Sequence, residues 1–136
     1  MAGNLHLELA TPERLLLSEE VTEVVVPAAS GYVGILPSHA PLVAQLGSGE
    51  LSYTLPGGGR KFLAVHGGFL EVSNDHVRVL ADAAENPGEI DLARAQAALK
   101  RAEERVAHLP PGVDIARAIN AMRRAQARLA AAKAGC

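Results

Sequence analysis

Val77-Arg-Val-Leu-Ala-Asp-Ala-Ala-Glu-Asn-Pro-Gly-Glu-Ile-Asp-Leu-Ala-Arg-Ala95 is the stretch in which the chain changes its period. At its start, Val77 and Val79 are β-branched residues two apart, a spacing that puts both on one face of a strand. From Glu89 onward the apolar positions step by three and four instead: Leu92, Ala95, Leu99, Ala102, Val106 and Leu109 form an a/d-type helical seam. One chain thus carries two kinds of structure, and the boundary lies inside this stretch.

Toward the N-terminus the period of two persists. Leu5, Leu7 and Leu9 alternate with His6 and Glu8, and Leu51, Tyr53 and Leu55 repeat the pattern. Val21 and Val24 to Val26 add β-branched runs. Turn signals separate them: Pro27-Ala-Ala-Ser-Gly31, Gly47-Ser-Gly49, Pro56-Gly-Gly-Gly59 and Ser73-Asn-Asp75. Asn74 and Asp75 both tolerate positive φ and predict a two-residue hairpin turn. Many short strands at this spacing predict an all-β sandwich or barrel, read as a sandwich over residues 1–86.

Toward the C-terminus the seam repeats. Pro110-Pro111-Gly112 stops the first helix, and Ile115, Ala118, Met122, Ala125, Leu129 and Ala132 start a second. Asp91 and Asp114 stand where N-caps belong. Residues 87–136 are therefore expected to form an antiparallel two-helix hairpin, giving an α+β chain overall. Alanine seams bury little area, so the hairpin is expected to be detachable or mobile. Asp91-Leu-Ala-Arg-Ala95 also aligns with Asp114-Ile-Ala-Arg-Ala118, an internal repeat that shared capping and seam requirements largely explain.

Composition sets limits on function. The chain has 136 residues, 49% of them hydrophobic and 21% charged, enough for one moderate core. Aromatic residues make up 3% and Trp is absent, so the stacking platforms of single-stranded nucleic-acid binders are missing. Cys136 is the single cysteine, which excludes an intrachain disulfide and a Cys-based zinc site. No signal peptide and no membrane-length apolar run is evident. Residues 1–88 carry ten acids and four bases, net −6; residues 89–136 carry nine bases and five acids, net +4. Opposite signs on two segments suggest different partners, or simply two solvated surfaces.

No catalytic constellation stands out. The five histidines fit no HExxH pattern, and neither GxGxxG before a helix nor GxxxxGK[ST] occurs. No metal site and no required cofactor are expected. Three stretches carry more information. Gly31-Tyr-Val-Gly-Ile-Leu-Pro-Ser-His-Ala-Pro41 holds His39 on a connection of fixed backbone requirement. Gly67-Gly68 interrupts a strand run, which marks a bulge or a close backbone approach. Glu85, Ile90-Asp91 and Arg94-Ala95 gather an acid, a cap and a base at the junction.

These stretches in series resemble the epsilon subunits of bacterial- and chloroplast-type F-type ATP synthases. Gly31 to Leu42 is similar to the family's GxxGxLPxHAPL segment, and Val65-His-Gly-Gly-Phe-Leu-Glu-Val72 to its GGFxEV strand. Val77 to Glu85 is similar to the strand that ends its β-domain, and Ile90 to Ala95 to the start of its hairpin. The resemblance implies a non-catalytic rotor subunit of the central stalk of a proton-translocating enzyme. Its sandwich would bind the gamma subunit and the c-ring, with His39 a candidate contact. Its hairpin would extend toward the catalytic alpha and beta subunits and inhibit ATP hydrolysis, through Arg117, Arg123, Arg124 and Arg128. A nucleic-acid partner for that basic face is opposed by the acidic chain as a whole. Membrane association would come only through the complex, at the cytoplasmic face of a bacterial plasma membrane or the stromal face of a thylakoid.

Some members of that family bind ATP on the folded hairpin through [I/L]DxxRA. Ile90, Asp91, Arg94 and Ala95 match the motif, Glu85 matches the acidic position ahead of it, and Arg101, Arg124 and Arg128 match further arginines. ATP is thus an expected regulatory ligand rather than a cofactor. The second DxxRA copy at Asp114 shows that helix capping alone can produce the pattern. A reading from another class is a stand-alone ATP-binding sensor built on Glu85, Asp91 and Arg94, which co-purification with gamma would exclude.

Overall fold

The computed structural model describes residues 3–108, 112 and 114–134. Leu109, Pro110, Pro111 and Cys136, used in the sequence reading, lie outside the described residues. Eight strands come first: β1 (Leu5–Ala10), β2 (Leu15–Val21), β3 (Glu23–Ala28), β4 (Gly31–Ile35), β5 (Leu42–Gln45), β6 (Ser48–Thr54), β7 (Arg60–Ser73) and β8 (His76–Glu85). A 3-10 turn at Pro87–Glu89 leads to α1 (Leu92–Ala107) and α2 (Ile115–Ala134).

The strands form one hydrogen-bonded sheet in the order β2-β1-β8-β7-β6-β3-β4, with β5 also on β7. All pairs are antiparallel except β1 with β8, a parallel pair that joins the two ends of the domain's sequence. The 14-residue β7 is the hinge of this arrangement. Its first half pairs with β6 up to His66–Ser48, and its second half pairs with β5 from Phe69–Gln45. Between them lie Gly67 and Gly68, at φ 70° and 110°. The sheet folds over at this corner, and its two parts enclose a single core.

Gly67 and Gly68 mark a close approach and not a bulge. The β7–β8 register passes through them unbroken, from His66–Ala83 to Gly68–Ala81. A Cβ at Gly68 would overlap the Leu80 carbonyl oxygen, and one at Gly67 would sit 2.6 Å from Asp82 Oδ2. The Asn74-Asp75 turn takes the expected left-handed conformation, at φ 50° and 61°, and closes β7 onto β8. Leu5, Leu7, Leu9, Val24, Val26, Ile35, Leu51 and Leu70 are fully buried. The period-two pattern thus places its apolar set inward.

Asp91 and Asp114 cap the helices as expected. Asp91 Oδ1 accepts from Arg94 N at 3.0 Å, and Asp114 Oδ1 accepts from Ala116 N at 2.9 Å. The seams meet along Ala95, Ala102, Ala118 and Ala125, all buried, while Leu92 and Ile115 at the helix starts are about half exposed. α2 also has a second buried stripe, Ala127 and Ala131, which the seam reading lacks. This stripe belongs to the face on which α2 packs against β6 and β7, whereas α1 packs chiefly on α2. α2 is therefore the middle layer. Every buried residue of both helices is an alanine, so burial contributes little per residue to holding the hairpin down.

Candidate functional site

The end of β8, the 3-10 turn, the start of α1 and the last turns of α2 enclose a cleft of about 340 Å³. Six of the residues singled out in the sequence line it: Glu85, Asp91, Arg94, Ala95, Arg101 and Arg128. Ile90 ends the 3-10 turn, its N–H bonded to Pro87 O at 3.2 Å, and does not line the cleft. Arg124 does not line it either. It is half-buried one helical turn before Arg128 and faces a separate hollow at the corner of the sandwich.

Glu85 is the centre of the polar network. Arg128 Nε donates to Glu85 Oε1 and Oε2 at 2.9 and 3.0 Å, and His66 Nε2 lies 2.8 Å from Glu85 Oε1. A carboxylate only accepts, so His66 carries a proton on Nε2. The His66 hydrogen bond, and then Arg128, hold the Glu85 carboxyl below the ordinary carboxylate range against the opposing effect of burial. This is the one ion pair that ties α2 to the sandwich among the described residues.

Glu89 forms the cleft's outer lip. The Asn86 backbone N–H, and then the Arg14 side chain, hold its carboxyl below the ordinary range. Arg14 Nη2 reaches both Glu89 oxygens, at 2.8 and 2.7 Å. Arg94 and Arg101, in contrast, have no side-chain hydrogen bond or ion pair among the described residues. Of the three carboxylates that line the cleft, Glu85 and Glu89 are paired with Arg128 and Arg14, which leaves two uncommitted guanidinium groups and Asp91, whose Oδ1 alone is used by the cap. Such a set suits an anionic group at one end and a hydrogen-bond donor at the other.

The residues expected to touch partners do not share one surface. Arg117 and Arg123 are exposed, Arg124 is half-buried, and Arg128 is committed to Glu85. His39 lies on the β4–β5 connection, its Nδ1–H donating to Ala40 O at 2.6 Å. That connection is braced on the Asn74-Asp75 turn by Ser38 N donating to Asp75 Oδ1 at 2.7 Å. The sequence reading missed a further surface. Phe69, Leu80 and Leu15 are each more than half exposed. Register pairs Phe69 with Leu80, Leu80 with Ala10, and Ala10 with Leu15, so they form an apolar row across β7, β8, β1 and β2. Two adjacent apolar residues in a strand, as at Phe69-Leu70 and Val79-Leu80, were the signal for it: one of each pair must face outward.

Comparison with known proteins covers both parts of the chain. Residues 4–87 match the family described as "ATP synthase, Delta/Epsilon chain, beta-sandwich domain", and residues 89–133 match its "long alpha-helix domain". The chain is 60% identical over 103 residues to the ATP synthase epsilon chain of Solibacter usitatus, covering 76% of each. It is 52% identical over 111 residues to that of Carboxydothermus hydrogenoformans, covering 82% of each. In fold it is similar to a chain in the cryo-EM structure of the Euglena gracilis mitochondrial ATP synthase, with TM-score 0.83 and 24% identity, covering 98% of this chain and 83% of that one. On these grounds the chain belongs to the ATP synthase delta/epsilon chain family.

Proposed function

We propose that the chain is a non-catalytic central-stalk subunit of a proton-translocating F-type ATP synthase, whose hairpin leaves the sandwich to inhibit ATP hydrolysis. One observation carries the regulatory half of this reading. Among the described residues, the basic helix α2 is held on the sandwich by buried alanines and a single half-buried ion pair, Arg128–Glu85. Release frees Arg128 and uncovers Arg124, adding both to the exposed Arg117 and Arg123 for acidic surfaces of the catalytic subunits. In the coupling half, the apolar row of Leu15, Leu80 and Phe69 would dock the gamma subunit. The His39 connection would meet the c-ring. No helix among the described residues is long and apolar enough to cross a membrane. In this reading, attachment at the cytoplasmic face would come through these partners.

The test uses an ATP synthase head depleted of its own epsilon subunit, given either the full chain or one truncated after Gly88. Both are expected to bind, and only the full chain is expected to slow hydrolysis. Binding by both without inhibition by either would refute the hairpin's role. Failure of both to bind a well-matched head would refute the assignment to the stalk.

ATP is the regulatory ligand this reading assigns to the Glu85 cleft. Arg94 and Arg101 take the phosphates, and Asp91 accepts from the adenine amino group. Calorimetry is expected to show saturable ATP binding that Arg94→Ala weakens at least about tenfold, the loss of one charge-assisted contact. Arg124→Ala is expected to weaken it less, because Arg124 lies outside the cleft. The opposite ranking would place the phosphates elsewhere.

A further inference from the structure

Just before the glycine corner of β7, a histidine follows a run of buried apolar residues. Leu63, Ala64 and Val65 are buried, and His66 after them is 5% exposed. A histidine is a costly choice there. Its Nδ1 is enclosed with no partner among the described residues, a loss that valine or leucine would avoid. The ring's polarity has one use, the bond from Nε2–H to Glu85 Oε1 at 2.8 Å. The β7–β8 register explains why that bond forms. Ala64 stands opposite Glu85 and His66 opposite Ala83, so His66 and Glu85 are diagonal neighbours on one face of the sheet. Ala64 is too small to steer the Glu85 side chain; His66 steers it by fixing Oε1. With Oε1 held, Arg128 Nε of α2 reaches both carboxylate oxygens, at 2.9 and 3.0 Å.

We propose that His66 is a positioning residue for hairpin docking: it acts through Glu85, holding the carboxylate where Arg128 engages both of its oxygens. An arginine–glutamate pair that is partly exposed contributes little when both side chains must be ordered to make it. His66 and Glu85 both belong to the sandwich, so the carboxylate is already ordered when α2 arrives, and docking has only Arg128 left to fix. The same bond governs release in acid. Glu85 faces His66 from β7, Arg128 from α2, Arg94 and Arg101 from α1, and Glu89 and Asp91 from the junction. Of these, His66 is the strongest influence holding the carboxyl below its ordinary range, ahead of Arg128. Without His66 the carboxyl takes up its proton at higher pH, and α2 lets go earlier as acid is added. The role concerns the docked hairpin of the reading above. Because docking is read on the isolated full chain, it is decided whether or not the chain inhibits a catalytic head.

Amide exchange of α2, measured against that of β1, β7 and β8 in the full chain, tests this with two substitutions. His66→Leu, an apolar residue of similar size, removes the donor and the unpaired Nδ1 together. It is expected to speed exchange in α2 about fivefold or more, the effect of one hydrogen bond, without lowering the melting temperature of the sandwich. His66→Gln keeps a side-chain N–H donor and is expected to stay within about twofold of the unaltered chain. In an Arg128→Gln chain, His66→Leu is expected to add nothing further, because the ion pair it serves is already gone. The acid-driven loosening of α2 is expected at higher pH in His66→Leu than in the unaltered chain. Unchanged α2 exchange in His66→Leu, or an unmoved acid step, would overturn the proposal. So would a glutamine variant no better than leucine. A fall in melting temperature with faster exchange throughout β1, β7 and β8 would make His66 a packing residue of the corner and overturn it as well.

Discussion

A Gly68→Ala chain is expected to lose about 3 kcal/mol of β-domain stability and to melt about 10–20 °C lower. Two costs combine. The residue holds φ at 110°, a conformation that L side chains rarely adopt, and its new Cβ would run into the Leu80 carbonyl oxygen and Ala81 Cα across the β7–β8 ladder. Both neighbours are backbone, which cannot swing away as a side chain can. The damage falls at the corner where β7 changes partner from β6 to β5, so both parts of the sheet lose their alignment. Gly57→Ala is the control, since nothing lies near a Cβ there and its φ is not in the left-handed region. Thermal unfolding followed by circular dichroism separates the two. Equal melting points would mean that the corner relaxes freely.

Glu85→Ala is expected to loosen α2 while leaving the sandwich folded. It removes the acceptor of Arg128 and of His66 Nε2 together, and His66 is too buried to find water in exchange. A loss of about 2 kcal/mol would shift the docking equilibrium roughly 30-fold. Amide exchange in α2 should accelerate by that factor while the protected core of β1, β7 and β8 stays unchanged. Faster exchange throughout would instead mean that Glu85 supports the whole fold.

The pH dependence follows from the same carboxylate. Its folded value is depressed below the ordinary 4.5, so its stabilising contribution is complete above 4.5 and is lost as pH falls through the lower folded value. Docking should show no Glu85-dependent change above the ordinary carboxylate range and should weaken only in acid. The Glu85→Ala chain should lack that acid step.

Much of this architecture was legible because its signals are local. The change from a step of two to steps of three and four is written in the side chains from Val77 to Leu99, and it separates sandwich from hairpin. Asp91 and Asp114 announce caps because a carboxylate reaches an N–H two or three residues on. Asn74-Asp75 announces a turn because both residues tolerate positive φ. The glycine pair in β7 announced a special backbone, though not which kind. The junction residues could be grouped because five of the six that line the cleft lie between Glu85 and Arg101, close along the chain.

The rest needed contacts between distant segments. Nothing local says that β1 pairs in parallel with β8, or that β7 changes partner midway, because pairing depends on strands far apart in sequence. The seam on α2 showed one buried face; its second stripe, Ala127 and Ala131, is buried only because β6 and β7 lie there, and alanine is neutral toward that choice. Arg124 and Arg128 look equivalent in sequence, one turn apart. The sandwich alone distinguishes them, placing a carboxylate under Arg128 and an open hollow under Arg124. By itself the sequence determined the two periods, the caps, the turns and the family of the chain, since each is set by residues near one another or in linear series. The tertiary structure alone decided which arginine is spent and which is free, because the partner of a charge is chosen by whatever folding brings within about 4 Å of it.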